Sequence, residues 1–154
     1  MELAKTAGPV APLQQRPDAF LPDLVNSVND LAIVLGSLDR HEEALARAEE
    51  AVRIYRQLAH QRPDVFVPDL ARSLAVRGRV IAADRPSEAI ESLAEAIRLL
   101  TPFFSRLPQV HAPLMQGTCS DYVQAAEAAG VAADMALPSP VIAVFEKIKS
   151  TDPT

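Results

Sequence analysis

An all-α fold built from repeated antiparallel helix hairpins is predicted by three features of the sequence. The segment RPDAFLPDL at residues 16–24 returns as RPDVFVPDL at residues 62–70, 46 positions on, with seven of its nine letters unchanged. Behind each copy, apolar residues recur at spacings of three and four, which marks one helical face. The composition agrees: 49% of residues are hydrophobic and only 5% aromatic, so Ala and Leu must fill the core, which suits closely packed helices. A repeat of this period is one supersecondary unit that buries its faces against its neighbours.

Each element follows in order. Residues 1–15 read as a leader or the remnant of a preceding helix, because APLQQRPD echoes QLAHQRPD. A single domain then spans residues 16–150, beginning with a first repeat at 16–61. Its first helix is expected over residues 20–37, with Leu24, Val28, Leu31, Ala32 and Leu35 on the inner face. Its second is expected over residues 40–60, where Leu45, Ala48, Val52, Tyr55 and Ala59 do the same. Asp39 stands as N-cap, with Glu42 three residues on in a capping-box arrangement. Pro22 and Pro68 are expected near helix starts, where a missing N–H does little harm.

The second repeat spans residues 62–106, with helices expected over 66–83 and 86–105. The offset between copies is 46 as far as Leu35 and Ile81, then 45 from Asp39 and Asp84 onward, so one residue is lost in the turn. Length changes of this kind are tolerated in turns between packed elements. A degenerate third copy occupies residues 107–137, with a helix expected over 111–129. Pro108 and Pro113 take the places of Pro63 and Pro68, and Pro138 and Pro140 fall where a second helix would run. VIAVFEKIKS, within residues 138–150, reads as a capping helix with Val141, Val144, Phe145 and Ile148 on one stripe. Residues 151–154 form a tail.

Charge and motifs exclude several functions. The net charge of −5 repels phosphate backbones and anionic membrane surfaces, so neither nucleic acid nor membrane is an expected partner. No run of residues looks long and apolar enough to span a bilayer. The single cysteine, Cys119, permits no internal disulfide and reads as a small buried hydrophobe in a reducing cytoplasm. His41, His60 and His111 lack metal-ligand spacing, and neither metal nor cofactor is expected. A phosphate loop, a nucleophile elbow and a dinucleotide fingerprint are all missing, so the chain is not read as an enzyme. Lys supplies three of the fifteen basic residues and Arg the rest, a bias that points to GC-rich coding and a bacterial source.

VNDLAIVLGSLDRHEEALARAEEAV resembles a tetratricopeptide repeat. The motif positions fall on Val28, Leu31, Ala32, Leu35, Ala44, Ala48 and Ala51, then on Leu74, Arg77, Gly78, Ile81, Ala89, Leu93 and Ala96. Arg77 departs from the usual Leu, and the period of 45–46 exceeds the ordinary 34. The long form is similar to the kinesin-light-chain-like repeats of bacterial signalling proteins. The resemblance implies a right-handed superhelix, here of about two and a half repeats plus the cap, with a concave wall made by the first helix of each hairpin.

It also implies protein or peptide binding, without catalysis. Carried over by motif position, the wall holds Asn26, Asn29, Asp30 and Ile33, then Arg72, Ala75 and Arg79, then Ser120, Asp121 and Gln124. Arg72 and Arg79 are seven apart and share a helical face. Their guanidinium groups beside the Asn29 amide suit an acidic side chain or a chain terminus. The Lys, Asn and Arg clamp that holds chaperone tails is not reproduced. The structural alternative is a regulatory or self-assembling piece of a larger repeat protein, dimerising through its open N-terminal end.

Overall fold

The computed structural model describes residues 17–151. The expected leader at 1–15 and the tail beyond Thr151 lie outside the described residues. Within them the chain is all-helical: α1 (Pro17–Ser37), α2 (His41–Gln61), α3 (Pro63–Ile81), α4 (Pro86–Arg106), α5 (Pro108–Ala129) and α6 (Ser139–Thr151).

Proline sets the starts. Pro17, Pro63, Pro86 and Pro108 are each the first residue of a helix. There the fixed φ is already helical, and the missing N–H would have had no partner in the helix. α3 and α5 therefore begin three residues before the expected 66 and 111. Pro22, Pro68 and Pro113 do not sit in the first turn, as expected, but inside α1, α3 and α5. Each forgoes a single backbone bond close to the N-terminus, where water can satisfy the freed carbonyl.

The turn after α1 overturns the expected capping box. No side-chain bond caps α2. Asp39 instead takes the left-handed conformation, at φ 59°. Arg40 N–H donates to Leu35 O at 2.9 Å, and Asp39 N–H to Gly36 O at 3.2 Å, the paired bonds of a Schellman ending. The matching turn after α3 is one residue shorter, and Arg85 N–H reaches Ile81 O directly at 2.7 Å. This is where the offset drops from 46 to 45. Gly130 closes α5 in the left-handed form, at φ 68°.

Successive helices α1 to α5 pack in chain order, α1 also touches α3, α3 touches α5, and α6 rests on α4. Small residues set the approach between helices. Ala32 and Ala48 are fully buried and meet Val76. A Cβ placed on Gly78 would lie 2.6 Å from Leu93 Cγ, so α3 and α4 touch through bare backbone there. The main core runs through Tyr55, Phe66, Leu70, Leu93, Ile97, Leu100 and Phe104. α6 adds Val141 and Phe145, whose ring lies 5.2 Å from that of Phe104.

The inner face expected for α1 is displaced. Val25, Asn29, Ala32 and Leu35 are its buried residues, whereas Leu24 is 60% and Leu31 45% exposed. Burying Leu24 and Leu31 requires a helix on the N-terminal side, and none of the described helices lies there. Ala19–Ser37 is also long and apolar enough, by length and composition alone, to cross a membrane, contrary to the sequence reading. Its Val25, Asn29, Ala32 and Leu35 side packs within the protein.

Candidate functional site

α3 touches both α1 and α5, and several of the wall positions inferred from the repeat pattern lie on the side that these three helices present together. Two ion pairs cross it. Arg72 Nη2 on α3 is 3.7 Å from Asp30 Oδ1 on α1. Arg79 Nε and Nη2 donate to Asp121 Oδ2 on α5 at 3.0 and 2.9 Å. The seven-residue spacing of the two arginines thus sends one guanidinium to each neighbouring helix. Both remain about half exposed.

At the α1 end, Tyr55 O–H donates to Pro22 O at 2.8 Å and lies 3.2 Å from Asn26 Oδ1. The Asn26 amide is therefore half-buried and engaged. Burial, reinforced by Asp69, raises the Tyr55 hydroxyl pKa, so it stays protonated as a donor. Asp69 is half-buried beside Arg72, and burial pushes its carboxyl above the usual carboxylate range while Arg72 offsets part of that. At the α5 end, Arg79, Asp121, Gln124 and Ala128 line a groove of about 320 Å³ over Leu93. Gln124 Nε2 donates to Ser120 Oγ at 3.2 Å, which fixes its amide.

Asn29 does not lie on this face as expected. It is wholly buried, and its Nδ2 donates to Ser73 Oγ at 2.9 Å, so it ties α1 to α3 and offers no amide to a ligand. Its Oδ1 has no protein partner. Ala75 is likewise buried, while Ile33 is 38% exposed. Asp30, Ile33, Arg72, Arg79, Ser120 and Gln124 are thus the expected wall residues that stay exposed.

Tyr55 and Asp69 were missed by the sequence reading. The signal for Asp69 was the Pro-Asp-Leu that closes both motif copies, taken there only as a helix start. The carboxylates Asp30, Asp69 and Asp121 outnumber the two arginines on this face, so its charge is mixed rather than basic. Elsewhere, Cys119 is partly buried, and burial pushes its thiol up to about 11, far from a nucleophile's range.

No family model, no curated protein and no solved structure matches the chain.

Proposed function

We propose that the chain is a binding module of tetratricopeptide type, without catalysis of its own, that holds a protein or peptide segment across α1, α3 and α5. In this reading the hairpins form a short right-handed superhelix, and the shared face of the first helices is its concave wall. One observation carries the proposal. Exposed polar and charged side chains from three separate helices converge on one face, and the fold does not need them for its core. Asp30, Arg72 and Arg79 lie there at about half exposure or more, and Gln124 in an open groove.

The two ion pairs refine the expected ligand. An acidic or C-terminal peptide suits the arginines only if its carboxylates displace Asp30 and Asp121. Bidentate guanidinium–carboxylate contacts are strong enough for such exchange when the ligand pair is better shielded from water. Peptides selected from a displayed random library on the wild-type chain test the reading. Arg72→Ala with Arg79→Ala should weaken them at least about tenfold, a loss of roughly 1.4 kcal/mol. Asp121→Asn, which frees Arg79, should tighten acidic ones. Selected peptides that bind the double variant equally well would remove this face as the site.

A further inference from the structure

We propose that the outer side of α2 is a second binding site, which takes a single-chain anionic amphiphile, a hydrocarbon tail with a carboxylate head. A groove of about 800 Å³ runs there from Glu49 to Gln61 and reaches Leu70 on α3. It is separate from the peptide face, since the described residues that line it come from α2 and from Leu70 alone. Hairpin packing leaves it open. α3 carries the contacts between the hairpins, and α2 and α4 do not pack closely on one another. Val52, Ala59 and Leu70 give the groove an apolar floor, half-buried at Val52 and buried at the other two. Arg53, Arg56 and His60 stand exposed along its rim.

Charge and size select the occupant. The net charge of the chain is −5, yet this rim is cationic. Arg56 is held by Glu95 at 2.7 Å, but Arg53 makes no ion pair among the described residues. Its helical neighbours Glu49 and Glu50 are engaged by Arg77 and Arg47 instead. A carboxylate on Arg53 therefore meets a guanidinium that no carboxylate already occupies. The lined stretch of α2 is about 18 Å long, and a helix of that length fills roughly 1,400–2,000 Å³. The groove is too small for one and suits a single extended chain. A peptide strand would lay its N–H groups on a floor without acceptors, which costs free energy, whereas a hydrocarbon tail loses nothing there. An apolar pocket of this volume with a few placed polar groups is the usual form of a small-molecule site. Residues 1–15 do not match the rim, because Glu2 and Lys5 leave them with no net side-chain charge.

Fluorescence quenching in the full chain tests this. The chain has no tryptophan, so Gln57→Trp, at an exposed lining position, places a single indole at the groove. Bromoundecanoate, whose bromine quenches an indole that it touches, should quench it with a midpoint of about 0.1 mM or lower. Gln116→Trp on α5 should keep its emission. Dodecanoate should compete the quencher away, and its methyl ester, which has the tail without the charge, should not. Adding Arg53→Gln, a change at an exposed helix position, should raise the midpoint at least about tenfold. Adding Arg72→Ala with Arg79→Ala should leave it unchanged, which separates this site from the peptide face. Several results would each overturn the proposal: an unquenched Gln57→Trp, equal quenching at both tryptophans, or a midpoint indifferent to Arg53→Gln. So would quenching that appears only once residues 1–15 are removed, which would assign the groove to that segment. Flotation of the wild type with phosphatidylglycerol vesicles would do the same, by giving the rim to a bilayer surface.

Discussion

Phe20 and Phe66 occupy the same place in two copies of one motif, yet Phe20 is 45% exposed and Phe66 5%. Leu24 and Leu70 differ in the same way, at 60% and 4%. The local sequence is nearly constant, so the difference lies in the neighbour. α3 has the α1–α2 hairpin on its N-terminal side, and Tyr55 and Phe66 rings meet there at 6.4 Å. α1 has no such neighbour among the described residues. In a repeat fold, burial belongs to the interface between units and not to the unit. Position 31 makes the same point in charge. Leu31 is left exposed, while its counterpart Arg77 is 21% exposed and reaches Glu49 and Glu88, both at 3.5 Å. A cation fits there because α2 and α4 each supply a carboxylate.

The largest effect that tests this contrast comes from truncating the paired leucines. Leu70→Ala opens a cavity in the core and should cost about 2–4 kcal/mol. Leu24→Ala removes only exposed surface from the single chain and should stay within about 0.5 kcal/mol. Urea unfolding at low micromolar protein separates them. Equal losses at low concentration would break the comparison.

Two glycines sharpen it at intermediate size. A Cβ on Gly78 would lie 2.6 Å from Leu93 Cγ, and Leu93 is fully buried. Gly78→Ala should therefore lose about 1–3 kcal/mol through overpacking, despite its gain in helix propensity. A Cβ on Gly36 would meet only Val80 Cγ2, at an ordinary 3.9 Å. Gly36→Ala should gain about 0.5–1 kcal/mol, read as a rise in thermal midpoint of a few degrees.

Much of the architecture was legible because it follows from local rules. Spacing placed the helices, Ala32 and Gly78 marked the close approaches, and the shift in offset located the shortened turn. Helix starts were misplaced because proline was read as a marker of the first turn, whereas α1, α3 and α5 tolerate a second proline inside. The face of α1 was misjudged for a different reason. Periodicity identifies apolar residues, but α1 is apolar on more than one side, and only the neighbour decides which side is covered. The candidate site was legible in part. Arg72 and Arg79 do share a face, but their partners Asp30 and Asp121 are 42 residues away in sequence, beyond any local pattern. Asn29 was placed on the wall by motif position, and the Ser73 hydroxyl that draws it inward is 44 residues distant.

The smallest effect lies in the two turns, where the same residue type should respond with opposite sign. Asp39 carries a left-handed backbone, which costs an L-residue about 1 kcal/mol and glycine nothing, though Asp tolerates it better than most. Its side chain contributes little in return: it is 95% exposed and 3.6 Å from His41 Nε2. Asp39→Gly should thus stabilise the chain by about 0.5 kcal/mol, after the added freedom of the unfolded chain is subtracted. Asp84 aligns with Asp39 in sequence but keeps a negative φ in the shorter turn. Asp84→Gly relieves no strain there and loosens the unfolded chain, so it should cost about 0.5–1 kcal/mol. Thermal unfolding of the two variants side by side gives the sign of each. Two losses would mean that Asp39 bears no strain. Two gains would mean that the turns are alike, and that the lost residue was removed somewhere other than the left-handed position.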